Sequence, residues 1–300
     1  MRFGGITDAR FEVHGQIGAG GCGVIHEAFD RETARWVALK ILTDEDPNAR
    51  ARFEREARAA CSINHPNVCA AYAAGLLDDG RPYVAMELLH GENLRRYLDR
   101  HRGLELEAAI EVTVQLLSGL EVAHAHGLVH RDVKPENVFL VTGEDGRITV
   151  KLLDFGLCRS AVDPFDGRTL TALGCVVGTP GYLAPEQLGE GAVVDQRADV
   201  FTAGLVLFEM LAGRRAYRGR NAAQLVMQLL LDEVPLLGEV CRAPAVLERV
   251  VARATARDPA QRYPVVAAFL HDLLSARTRI RLEGSRRARV RLPASSPALR

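Results

Sequence analysis

Residues 130–156 read HRDVKPENVFLVTGEDGRITVKLLDFG. Two strand-like runs, VFLV and ITVKLL, are joined by the turn residues TGEDGR, which predicts a β-hairpin. Ahead of it stands His130-Arg131-Asp132-Val133-Lys134-Pro135-Glu136-Asn137, and it ends on Leu153-Asp154-Phe155-Gly156. A carboxylate, a lysine, an amide and a second carboxylate therefore flank one short hairpin. Those residue types suit phosphoryl transfer. Asp132 can accept a hydroxyl proton, Lys134 can neutralise the moving phosphoryl group, and Asn137 with Asp154 can hold magnesium. Six fixed residue types in eight positions arise by chance in roughly 20⁻⁶ of windows, so a coincidental polar loop carries almost no weight.

Working outward, the first 90 or so residues read as a meander of strands. FEVHGQI, VIHEAFD and WVALKIL are rich in β-branched and aromatic residues, and two further strands are predicted around Tyr72–Leu77 and Tyr83–Leu88. One helix, PNARARFEREARAACSI from Pro47, lies between them. The cluster Gly18-Ala19-Gly20-Gly21-Cys22-Gly23-Val24 joins the first two strands. Because a strand rather than a helix follows it, a dinucleotide fingerprint is disfavoured, and the glycines let backbone N–H groups approach phosphate oxygens. Lys40 sits in the apolar run Val37-Ala38-Leu39-Lys40, and its charge needs a partner in the following helix. Glu56 is the candidate and Glu54 the rival; helix phase alone does not separate them.

From Gly91 the pattern turns helical. Glu107–His126 carries a stripe at Ile110, Val114, Leu117 and Glu121, with Leu120 beside it. Helical patterns resume near 197–212, 222–232, 245–256 and 264–275. The fold class expected is α+β and bilobal: an N-terminal antiparallel sheet lobe with one helix, residues 11–88, and a larger helical lobe, residues 91–275. Residues 276–300 carry eight Arg against one Glu and lose periodicity, which predicts a basic flexible tail.

Composition narrows the function classes. Hydrophobic residues at 48% and charged residues at 25% over 300 residues exclude extensive disorder. A formal net charge of zero gives no global field toward nucleic acid, and no nucleic-acid partner is expected. The most apolar stretch, Val200–Leu211, is far short of the roughly 20 residues a bilayer needs. The expected location is cytoplasmic, with the six cysteines reduced. Of the 38 basic residues only Lys40, Lys134 and Lys151 are lysines. Lysine is a compact point charge and arginine a planar fork, so each surviving lysine invites a reason. Two already have one, while Lys151 reads as a strand-surface charge. His124 and His126, at a helix end, read as packing or capping groups.

These motifs resemble those of the eukaryotic-type (Hanks-type) serine/threonine protein kinases, in the style of the bacterial branch. The resemblance runs from about Phe11 to Leu274. It implies ATP and Mg²⁺ as cofactors, proteins bearing Ser or Thr hydroxyls as substrates, and admits a kinase homodimer. It implies that Ile17, Gly18, Ala19, Gly20, Gly21, Cys22, Gly23 and Val24 cover the nucleotide, and that Lys40 binds its phosphates, paired with Glu56. Met86 matches the gatekeeper, Glu87 and Leu89 the hinge, and Val24, Ala38 and Phe139 the adenine sandwich. Asp132 is the implied base, Lys134 the second catalytic lysine, and Asn137 and Asp154 the metal ligands. The resemblance further implies that Thr179, in Gly178-Thr179-Pro180-Gly181-Tyr182, positions Asp132 and Lys134. It pairs Glu186 with Arg262 and makes Asp199 a brace for the catalytic loop. Lys134 and Thr179 imply serine/threonine rather than tyrosine specificity. Arg131 and Arg159 would receive a phosphate on Thr169 or Thr171. A scaffold without transfer usually shows a damaged Lys, Asp or Asn position; none is damaged here.

Overall fold

The computed structural model describes residues 8–20, 23–43, 47–154, 180–188 and 194–290. Strands β1 (Phe11–Gly20), β2 (Gly23–Asp30), β3 (Arg35–Leu42), β4 (Ala71–Leu76) and β5 (Pro82–Glu87) form one sheet in the order β1-β2-β3-β5-β4. Every pairing is antiparallel. Helix α1 (Pro47–Ala60) crosses one face of it.

Strand periodicity explains how this lobe works. On central strand β3, Val37, Leu39 and Ile41 pack with Phe11, Ala28, Tyr83 and Ala85 on one face. Ala38 and Leu42 point the other way, to Phe53 and Ala57 of α1 and to Val84 and Met86. Lys40 falls on this second face, only 3% exposed. A cation is thus carried inward by the alternation that buries its neighbours.

The chain then forms β6 (Glu92–Asn93), α2 (Leu94–His101), α3 (Leu106–Ala125), β7 (Val138–Thr142) and β8 (Ile148–Leu152). Strands β6-β7-β8 make a small second sheet, and the hairpin read from the sequence is β7–β8. Helices α4 (Arg197–Ala212), α5 (Ala222–Leu231), α6 (Leu237–Val240), α7 (Ala245–Ala254) and α8 (Val266–Val290) complete the larger lobe. Every residue of α4 from Ala198 to Met210 is buried. The most apolar stretch of the chain is therefore the central helix of a core. Among the described residues no helix is long and apolar enough to cross a membrane.

Two expectations are corrected. On α3 the buried side runs through Ala109, Thr113, Leu116, Leu120 and Ala123 as well as Ile110 and Leu117, whereas Glu121 is exposed. Alanine, threonine and glycine contribute little to a hydropathy pattern, so the stripe reads one position askew. The segment expected as tail continues α8 as far as Val290. Leu273 and Ala276 are fully buried and Ile280 packs against the same core. Arg277 lies 3.0 Å from Glu111 and also binds Glu107 of α3, which Arg281 reaches too. Cross-helix ion pairs hold this turn where apolar periodicity fades.

Candidate active site

The catalytic loop hangs from a buried carboxylate. Asp199, near the start of α4 and 0% exposed, accepts the His130 N–H through Oδ2 at 2.8 Å and the Arg131 N–H through Oδ1 at 2.7 Å. His124 Nε2 lies 2.7 Å from the same Oδ2, so this histidine is more than a helix-end packing group. Arg131 is held at φ +63°, a costly backbone for a residue with a side chain. The two N–H bonds to Asp199 fix that turn. His130 Nε2 sits 2.8 Å from the Leu153 carbonyl, so the ring carries its proton on Nε2 and leaves Nδ1 to face the Asp132 N–H at 3.3 Å.

That turn presents a compact knot of charge. Lys134 Nζ donates to Asp132 Oδ2 at 2.7 Å, and Asn137 Nδ2 donates to the same oxygen at 3.1 Å and to the Asp132 carbonyl at 2.8 Å. With both donors on Oδ2, Oδ1 is the oxygen left for an incoming hydroxyl. The Asn137 amide, with its nitrogen so engaged, leaves Oδ1 for a cation. The Asn137 carbonyl takes the Leu153 N–H at 2.9 Å, which sets Asp154 beside it.

Asp154, at φ +55°, accepts from Lys40 Nζ at 2.6 Å. The short contact of Lys40 thus runs to the second carboxylate across the cleft. Of the two helix candidates, Glu54 is turned outward between Arg50 and Arg58 at 3.6 and 3.9 Å, and Glu56 is the more buried, 13% against 32% exposed. Glu56 is the α1 carboxylate that faces inward.

The roof of the cleft is the β1–β2 hairpin. Pairing continues through Gly18–Ile25, Ala19–Val24 and Gly20–Gly23, so the glycines lie in the strands themselves. A Cβ on Gly23 would sit 2.2 Å from the Ile41 carbonyl, so this glycine is needed for strand packing alone. Gly18 has ordinary room, beside Ile25 at 3.6 Å. Ile17 is half exposed. The expectation for Val24 is corrected: it stands opposite Ile41, on the far face of the sheet, whereas Ile25 stands opposite Lys40 and packs with Ala38 on the cleft face. Met86 is buried against α1 at the end of β5. Glu87 and Leu89 lead out of it, and Phe139 rises from β7 below. Gly21, Cys22, Phe155, Gly156, Cys158, Arg159, Ser160, Thr169, Thr171, Cys175, Gly178 and Thr179 lie outside the described residues.

Residues 180–188 dock against this loop. Gln187 Nε2 donates to the Arg131 carbonyl at 3.0 Å. Glu186 makes two bonds to the fully buried Arg262 guanidinium, at 2.7 and 2.9 Å. Tyr182 donates to Glu209 of α4, which Arg95 of α2 also grips at 2.9 Å. Burial and the Glu209 charge together push the Tyr182 hydroxyl pKa far above its ordinary value.

Three features were not read from the sequence. Lys151 Nζ lies 2.8 Å from Glu87 Oε2 and is only 15% exposed, so it is not a strand-surface charge. Asn67 donates to Gln115 and to the Val150 carbonyl, both at 3.0 Å, tying the turn before β4 to α3 and β8. Cys69, with Sγ 3.8 Å from the Glu87 carbonyl, has its thiol pushed up to about 12, chiefly by burial and then by Glu87 and Asp154. Iodoacetamide at pH 8 is therefore expected to label the exposed Cys61 in the folded protein, and Cys69 only in denaturant. Peptide mass spectrometry reads the result, and labelled Cys69 in folded protein would contradict this burial.

Comparison with known proteins adds an independent line. A family model described as protein kinase domain matches residues 11–282. The serine/threonine-protein kinase PknL of Mycobacterium tuberculosis is 37% identical over 273 residues, covering 89% of this chain and 66% of that protein. The serine/threonine-protein kinase pkn3 of Myxococcus xanthus is 33% identical over 270 residues, 88% of this chain and 49% of that one. The chain thus spans two thirds or less of the length of these relatives. Among solved structures, the PknI kinase domain of M. tuberculosis superposes with a TM-score of 0.71 at 26% identity, covering 92% of this chain and all of that one.

Proposed function

This chain belongs to the protein kinase domain family, and we propose that it transfers the γ-phosphoryl group of ATP to serine and threonine hydroxyls of protein substrates. The observation that carries this reading is the knot of Asp132, Lys134 and Asn137, clamped from behind by Asp199.

The residues present fit a magnesium nucleotide. Among the described residues no three His, Cys, Asp or Glu side chains gather into a metal cage. The donor set is one carboxylate, Asp154, and one amide oxygen, on Asn137. Such a pair suits an ion that takes its remaining oxygens from phosphates and water. Bound there, the ion would neutralise charge on the phosphates, as Lys40 would from the roof. Asp132 Oδ1 takes the proton of the attacking hydroxyl. Lys134, already on the other oxygen, keeps Asp132 oriented and its charge available to the transferring group. Because little covalent chemistry is left to the protein, positioning and electrostatics carry the rate.

Incubation with Mg²⁺, labelled ATP and a generic basic protein tests the reading. Label is expected on serine and threonine of the acceptor, and on Thr169 or Thr171 of the chain itself. Chelation by EDTA should abolish it. Nucleotide binding without transfer, even after phosphorylation by another kinase, would decide for a scaffold.

A further inference from the structure

Lys151 is the one lysine of the chain that the transfer chemistry does not use. Antiparallel register sets it directly opposite Phe139, so both side chains leave the same face of the β7–β8 hairpin. The other face, Val138, Leu140, Val150 and Leu152, is packed into the core of the larger lobe. Lys151 and Phe139 therefore stand together on the floor of the cleft, beneath the link between the lobes.

That link is fixed to the hairpin at both ends. At its start, Glu87 Oε2 receives Lys151 Nζ at 2.8 Å and the Ala70 N–H at 3.4 Å, while the Glu87 N–H donates to the Ala70 carbonyl at 2.9 Å. At its end, Gly91 adopts φ +152° and passes so close to the floor that a Cβ would sit 2.1 Å from the Leu140 carbonyl and 3.2 Å from the Phe139 ring. Glu92 then pairs with Leu140. The segment 87–91 is a short bridge over Phe139, and the only charged tie at its entrance among these contacts is Lys151.

We infer that Lys151 is a positioning residue: through Glu87 it sets the height of the hinge over Phe139, and with it the slot for the base of the nucleotide. It touches the Glu87 carboxylate and acts on the nucleotide through the hinge backbone. A compact ammonium fits this mostly buried place, whereas the planar guanidinium used elsewhere in the chain is longer and asks for two acceptors. The inference rests on the nucleotide reading above.

The test separates the two ends of the ligand. Competition against a fluorescent ATP analogue measures adenosine, a non-hydrolysable ATP analogue and inorganic tripolyphosphate, the last two with Mg²⁺. In Lys151→Met and in the isosteric Glu87→Gln, adenosine and the ATP analogue are expected to weaken about five- to tenfold. Tripolyphosphate should stay within about twofold of the wild type. Lys151→Arg should recover part of the loss, and the double variant should bind no worse than the weaker single variant. In turnover, KM for ATP should rise by the same factor and KM for the acceptor protein should not. Adenosine affinity intact in both single variants would overturn the inference, as would tripolyphosphate weakening in step. A wild-type chain that binds neither adenosine nor ATP is a different result, since it overturns the nucleotide reading itself. Should Lys151→Met fail to fold, Glu87→Gln and Lys151→Arg still decide.

Discussion

Asp132→Asn is expected to lower kcat by about 10²- to 10⁴-fold while ATP affinity changes little. The amide has the shape of the carboxylate, and its oxygen can still meet Lys134 and Asn137, now 2.7 and 3.1 Å from Oδ2. What it lacks is an acceptor on the other side: an NH₂ group replaces Oδ1 where the substrate hydroxyl arrives. The loss therefore falls on the proton-accepting step and not on assembly of the site. Steady-state kinetics with nucleotide binding measured separately gives the split, because a fall in kcat and kcat/KM together marks an interaction made in the transition state. A variant that turns over at the wild-type rate would remove Asp132 from the role of base. Equal loss of ATP affinity would say that the carboxylate was holding the loop together instead.

Much of this site was legible because its chemistry is local. Asp132, Lys134 and Asn137 fall within six residues, and an acceptor with two donors on one turn can be read as a unit before any fold is known. Strand alternation likewise showed Lys40 among apolar neighbours, and the glycines before β2 marked a hairpin. What escaped was set by long-range geometry. Lys40 meets Asp154, 114 positions away, and nothing local distinguishes that partner from Glu56. Lys151 looked like a surface charge because its neighbours alternate in an ordinary way; only the approach of Glu87 buries it. The continuation of α8 past residue 275 was hidden because Arg277 and Arg281 reach Glu107 on another helix, a contact with no periodicity of its own. On α3 the misreading came from small residues, which pack closely yet carry little hydropathy.

Asp199 offers the other large effect, and it tests whether catalysis is built on the core. Asp199→Asn is expected to cost about 3–5 kcal/mol of stability, the range for breaking a buried charged network by removing one partner. Its two oxygens each take a backbone N–H, from His130 at 2.8 Å and Arg131 at 2.7 Å. An amide offers one oxygen and sets an NH₂ against the other N–H. One donor is then left facing an NH₂ group on a side chain that is itself fully buried, a cost of about 1–3 kcal/mol. The φ of +63° at Arg131 loses its restraint as well. Denaturant unfolding should show a lower midpoint with an unchanged slope, since the exposed area is the same. Activity should fall even where the variant is fully folded, because Asp132 follows Arg131 directly and moves when that turn relaxes. His124→Ala makes the contrast: it removes the 2.7 Å contact to Asp199 but leaves both N–H bonds in place. Its expected cost is about 1–3 kcal/mol, with kcat largely kept. If instead Asp199→Asn cost less than about 1 kcal/mol, or left kcat untouched when folded, the catalytic turn would be holding its shape without α4.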